Sequence, residues 1–144
     1  MLKTNLLKSF LANNTLRIFP ITLDEGKIKM KHVMNLQNAP FEMIRSGRKT
    51  IELRLYDEKR KLISVGDEIK FVHAAEPALS LCCRVIALHR FDSFQDLYAS
   101  LPLLKCGYTE NDISTASADD MDAYYSKEKQ KEYGVLGIEI ELCY

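Results

Sequence analysis

The chain has 144 residues, 47% of them hydrophobic, and its 20 basic and 20 acidic side chains cancel to a formal net charge of zero. That is enough apolar material for one packed domain. No apolar run reaches the ~18 residues of a membrane span, and the balanced charge excludes a polycation that coats nucleic acid. The four cysteines are Cys82, Cys83, Cys106 and Cys143. They form no C-x-x-C and no Cys/His pair at finger spacing, and adjacent Cys82 and Cys83 are poorly placed to bridge each other. Reduced thiols in a cytoplasmic protein are expected, with no metal and no cofactor.

Residues 1–29 read differently from the rest. Leu2, Leu6, Leu7, Phe10 and Leu11 alternate with Lys3, Asn5, Lys8 and Ser9, which interrupts any signal-peptide core. The segment reads as a disordered or amphipathic leader, or as a start-site artefact with translation beginning at Met30. The codons for Glu25-Gly26 must contain a GAR-GGN string, which resembles a ribosome-binding site at a suitable distance upstream of Met30. A domain is therefore expected over residues 30–144.

Within it, Lys31–Leu36 reads as a short strand. A helix follows over Pro40–Ser46, with Pro40 in its first turn, Gly47 just past its end, and Phe41, Met43 and Ile44 as its apolar residues. Thr50–Tyr56 alternates, with Ile51, Leu53 and Leu55 on one face and Thr50, Glu52, Arg54 and Tyr56 on the other, non-core face. Val65-Gly66-Asp67 forms a turn before the strand Glu68–Val72, and Leu79–Arg90 is a longer strand. Ser93 caps a helix carrying Phe94, Leu97, Tyr98 and Leu101. Ser117-x-x-Asp120 opens a helical stretch through Tyr133, closed by Gly134. The last strand, Val135–Leu142, turns Ile138, Ile140 and Leu142 inward and Glu139 and Glu141 outward.

Charge is unevenly spread along this order. Residues 45–61 hold seven basic against three acidic side chains, a net of +4, and residues 110–132 hold three against seven, a net of −4. The basic pole coincides with Gly47-x-Lys49-x-x-Glu52-x-Arg54. On periodicity alone these charges would be a solvated ion-pair row along a strand.

That motif, with the helix before it and the Val65-Gly66-Asp67 strand entry after it, resembles the ASCH (activating signal cointegrator homology) domain of the PUA-like superfamily. The tail Tyr133-Gly134-Val135-Leu136-Gly137-Ile138-Glu139-Ile140 is similar to the closing strand of bacterial members. The resemblance implies an α+β fold: a small PUA-like β-barrel of about five to six mixed strands with short flanking helices. It also implies a cleft beside the motif that takes RNA, a nucleotide or a modified nucleoside. One bacterial branch with a similar G-R-K-T-I segment consists of acetylcytidine amidohydrolases. There the lysine, a threonine three residues later and a downstream glutamate are catalytic. Lys49 matches that lysine, and Glu52 stands where the threonine would be.

The ligand-binding residues expected are Gly47, Lys49, Thr50, Glu52, Arg54, Tyr56 and Tyr124. Arg54 offers a bidentate fork to phosphate or a base edge. Lys49 offers a phosphate contact, and Tyr56 and the pair Tyr124–Tyr125 offer stacking faces. A neutral chain suits one nucleotide or a single-stranded segment better than a duplex. If the protein is an enzyme, Lys49 and Glu52 are its catalytic residues, activating water on a modified nucleoside amide. A third expectation is an adaptor whose acidic 110–132 face meets a protein partner.

Overall fold

The structure, a computed structural model, describes residues 18–24 and 27–143. Among the described residues six strands form one mixed sheet: β1 (Ile18–Asp24), β2 (Lys27–Leu36), β3 (Ile51–Leu55), β4 (Glu68–His73), β5 (Ser80–Phe91) and β6 (Val135–Leu142). Their order is β1-β2-β4-β5-β6-β3, with β2 and β4 parallel and every other neighbouring pair antiparallel. Among the described residues three α-helices flank it: α1 (Asn38–Arg45), α2 (Phe94–Ser100) and α3 (Lys127–Tyr133). This is the α+β arrangement expected. Backbone pairing among the described residues leaves the ladder open, because β3 pairs only with β6 and β2 pairs with β1 and β4.

The boundary expected at residue 30 falls inside β2, whose first residues pair with β1. The expectations for residues 1–17 lie outside the described residues. The single helical stretch expected from Ser117 to Tyr133 is divided. Ser117 does open it with a capping box to Asp120, but the turn over Ala118–Ala123 is a 3-10 helix, and Ser126 then starts α3 by accepting from the Lys129 N–H. The second cap signal restarts the helix and lets Tyr125, between the two pieces, turn inward to stack on Phe94 at 6.1 Å.

Helix α1 needs Pro40 in its first turn, where the missing N–H costs no intrahelical bond. It buries Phe41 and Ile44 and ends at Gly47, whose φ of +80° strongly favours glycine. Ser93 caps α2 through the Asp96 N–H, as expected. The turn into β4 is held by Asp67. Its buried carboxylate accepts from the Ser64 and Met30 N–H groups and lies 2.9 Å from His32 Nε2.

Two apolar cores result. One gathers Met34, Leu36, Phe41, Ile69, Phe71, Val85, Leu136, Ile138 and Ile140 between α1 and one sheet face. The other packs Ile51, Leu53, Leu55, Phe94, Leu97, Cys106, Met121 and Val135 on the opposite side, under α2. Gly137 lets α2's end come close, since a Cβ there would stand 2.7 Å from Leu101 Cδ1. Strand β3 therefore has a core on both sides: its apolar residues face the second, and Glu52 and Arg54 are paired with Ile138 and Leu136 of the first. That double burial positions the site.

Candidate functional site

The motif begins where α1 stops. Gly47 reverses the chain, and the Arg48 and Lys49 N–H groups both donate to Met43 O, at 3.0 Å each. Thr50 N–H then donates to Lys105 O at 2.9 Å, and Ile140 N–H donates to Thr50 O. Backbone bonds on both sides thus fix the direction in which Lys49 enters β3.

Lys49 and Glu52 are buried, at 8% and 4% exposure. The expectation that Glu52 and Arg54 lie on a non-core face of β3 is corrected by this burial, as is the solvated row that periodicity alone would give. Alternation sorted the two faces of β3, but the sheet and its flanking segments cover both. Glu52 is the centre of the cluster. Its Oε1 accepts from Lys49 Nζ at 2.9 Å and from the Leu53 N–H at 3.2 Å. Its Oε2 accepts from Arg54 Nη2 at 3.0 Å and Nε at 3.3 Å. Burial pushes the Glu52 carboxyl up, but the charges and hydrogen bonds of Lys49 and Arg54 outweigh it and hold the group at about 2. Burial also works against the charged form of Arg54, yet the Glu52 carboxylate carries its pKa above the ordinary value.

Arg54 is the outermost member, its side chain 15% exposed. Its Nη2 also donates to Asn35 O on β2 at 2.9 Å. The guanidinium therefore spans the gap that the open ladder leaves between β3 and β2. Two cations and one anion give this cluster a formal charge of +1. A buried ion cluster is seldom favoured over apolar packing unless its geometry is good; here every Glu52 oxygen has two donors.

Gly107 covers Lys49. Its φ is +114°, and a Cβ there would lie 3.5 Å from Lys49 Cδ and 3.6 Å from Nζ. The Lys105–Tyr108 loop thus packs directly against the Lys49 side chain. Buried Cys106 sits beside the same pair, and burial pushes its thiol up to about 11, which leaves it protonated and unreactive near neutrality.

Tyr125 adjoins the cluster: its phenol is raised by burial, with Arg54 and Glu52 the next largest influences on it. Tyr124 is 72% exposed, so of the tyrosine pair it is Tyr125 that borders Arg54. Tyr56 packs against the first core and already carries a cation, with Arg90 Cζ 4.4 Å from its ring centroid. Arg60 and Asp57 pair at 2.8 Å and complete the charged surroundings of Tyr125. The structure thus brings together Lys49, Glu52 and Arg54, sets Gly47 and Thr50 as their backbone frame, and leaves Tyr124 on the surface.

The ASCH domain profile matches residues 34–143, which include the whole motif and its frame. The chain belongs to the ASCH domain family. Among solved structures it is similar to the hypothetical protein PH0355, at 32% identity over 79% of this chain and 100% of that one, with a TM-score of 0.65. It is also similar to PF0455 from Pyrococcus furiosus, at 35% identity over 78% of this chain and 97% of that one, with a TM-score of 0.59. A variant of ZmASCH from Zymomonas mobilis shares the fold at 13% identity, covering 77% and 67% of the two chains with a TM-score of 0.55. No curated protein matches the sequence. No helix among the described residues is long and apolar enough to cross a membrane.

Proposed function

We propose that this ASCH domain binds a single-stranded RNA segment or a nucleotide-like ligand in the cytoplasm. The contact surface is the seam between β2 and β3. The observation carrying the reading is the buried Lys49–Glu52–Arg54 cluster, whose surplus positive charge reaches the surface through Arg54. A guanidinium fixed by Glu52 and Asn35 O is preorganised for a phosphate or a base edge, and loses little rotamer freedom on binding. Tyr125 offers a neighbouring ring to a base, and the +4 stretch over residues 45–61 attracts the phosphate. Lys49, buried beneath Gly107, acts through Glu52 and sets the guanidinium's place.

The alternative of an amidohydrolase asks Glu52 or Lys49 to accept a proton from water. Each Glu52 oxygen already accepts from two donors, and a carboxylate held at about 2 is a weak base. Binding is therefore the favoured reading.

The test is a fluorescence titration of the purified chain with short single-stranded RNA and with mononucleotides, alongside an acetylcytidine hydrolysis assay. Arg54→Lys keeps the charge and loses the fork, and should weaken binding about tenfold or more. Equal binding by wild type and Arg54→Lys would defeat the assignment of the site. Turnover of acetylcytidine lost in Lys49→Ala would restore the enzyme.

A further inference from the structure

Away from the motif, strands β4 and β5 and the residue just past the end of β6 bring Glu68, Cys82 and Cys143 together. Their Sγ, Sγ and carboxylate oxygen all lie within 4.8 Å of one another, and each residue is half-buried. The ladders explain the grouping. The β4–β5 register sets Cys82 opposite Lys70, two residues from Glu68 on the same side of β4. The β5–β6 register pairs Cys83 with Leu142, so Cys143 falls beside Cys82, and its N–H donates to Cys82 O at 2.9 Å. Sequence spacing gives no hint of this set, because its members are 14 and 61 residues apart and join only through sheet order.

We propose that Glu68, Cys82 and Cys143 form a binding site for a thiophilic divalent cation, Zn(II) by preference. Two thiolates and one carboxylate are a donor set that favours zinc over the oxygen-seeking magnesium and calcium. Zinc–sulfur bonds of about 2.3 Å and zinc–oxygen bonds of about 2.0–2.2 Å put tetrahedral donors roughly 3.5–3.8 Å apart. The present upper limit of 4.8 Å lies within reach of that spacing by side-chain rotation. Binding forms two Zn–S bonds and one Zn–O bond and releases both thiol protons to solvent, with water in the fourth position; no electrons are transferred. All four cysteines are free thiols, and Cys83, fully buried in the first core, is not a ligand.

The charges flanking the site are Lys31 on β2, paired with Glu68, Lys70 on β4, and the Arg84–Glu141 pair, 3.7 Å apart, on β5 and β6. Metal and protons compete for the two sulfurs, so affinity rises with pH. The ion would tie the end of β6 to β5 and β4, and β6 is the strand against which the motif strand is paired.

Co(II) titrated into the reduced full chain tests the site. A thiolate-to-cobalt charge-transfer band should saturate at one metal per chain and be displaced by Zn(II). Cys82→Ser and Cys143→Ser should each lower affinity by more than the roughly 10–100-fold that loss of an outer-shell partner costs, Glu68→Gln by about tenfold, and Cys83→Ser should keep the band. Because a variant can fail to fold, the wild-type chain supplies an independent readout: Zn(II) should slow alkylation of Cys82 and Cys143, and Mg(II) should not. Absence of the band, its survival in Cys143→Ser, or alkylation rates unmoved by Zn(II) would overturn the proposal.

Discussion

Two charge clusters in this protein are inverted copies of each other. In the motif one anion, Glu52, lies between two cations; on the acidic segment one cation, Lys127, lies between Asp119 at 2.8 Å and Asp122 at 3.2 Å. Their distances are alike and their surroundings are not. The Lys127 side chain is 63% exposed, whereas that of Glu52 is 5% exposed. Water screens the exposed cluster, so its members bond mainly to one another and can be lost singly at little cost. In the buried cluster, removing the shared anion Glu52 strands two cations away from solvent, whereas removing one cation leaves a neutral pair. Burial, rather than the list of charged residues, is what makes the motif a site.

The largest effect that would break this contrast is removal of the central residue. Glu52→Ala leaves Lys49 and Arg54 buried without their anion and should destabilise the fold by about 3–5 kcal/mol in urea denaturation. Lys127→Ala should leave the urea midpoint unchanged. Comparable losses in the two variants would erase the distinction.

Acid titration comes next. Glu52 is lowered from 4.5 to about 2, so the folded state binds its proton less readily than the unfolded chain. The stability it contributes is complete above about 4.5 and is lost as pH falls towards about 2. At about 1.4 kcal/mol per pH unit this is of order 3 kcal/mol, visible as a falling thermal midpoint. Glu52→Gln should flatten that part of the profile, and an unaltered profile would contradict the ion-pair account.

Gly107→Ala is a finer probe. The added Cβ meets Lys49 at ordinary contact distance, so the cost comes from a φ of +114°, about 1–3 kcal/mol. The acid dependence should remain, because the ion pairs stay in place. A variant that lost both would show that the Gly107 loop, and not Glu52, holds Lys49.

Local chemistry made much of this readable from sequence. Pro40 and Gly47 bracket α1, Ser93 and Ser117 cap their turns, and the alternation of β6 sorts Ile138 and Ile140 from Glu139 and Glu141. Non-local features were hidden. Alternation along β3 cannot reveal that its polar face meets the first core, since that depends on β6 lying alongside and on Arg54 reaching Asn35 across an unpaired seam. Adjacent tyrosines look equivalent until the Ser126 cap turns Tyr125 inward. The Glu68–Cys82–Cys143 set exists only once the strand order is known.

The central claim is that the buried cluster meets its ligand through Arg54. The Nε–H signal of Arg54 in a proton–nitrogen NMR spectrum reports on that group directly. Titration with a short single-stranded RNA or a mononucleotide should shift or broaden it at concentrations that leave the Lys127 helix unmoved. Shifts confined to residues 110–132, with the Arg54 signal unchanged at saturation, would contradict the account.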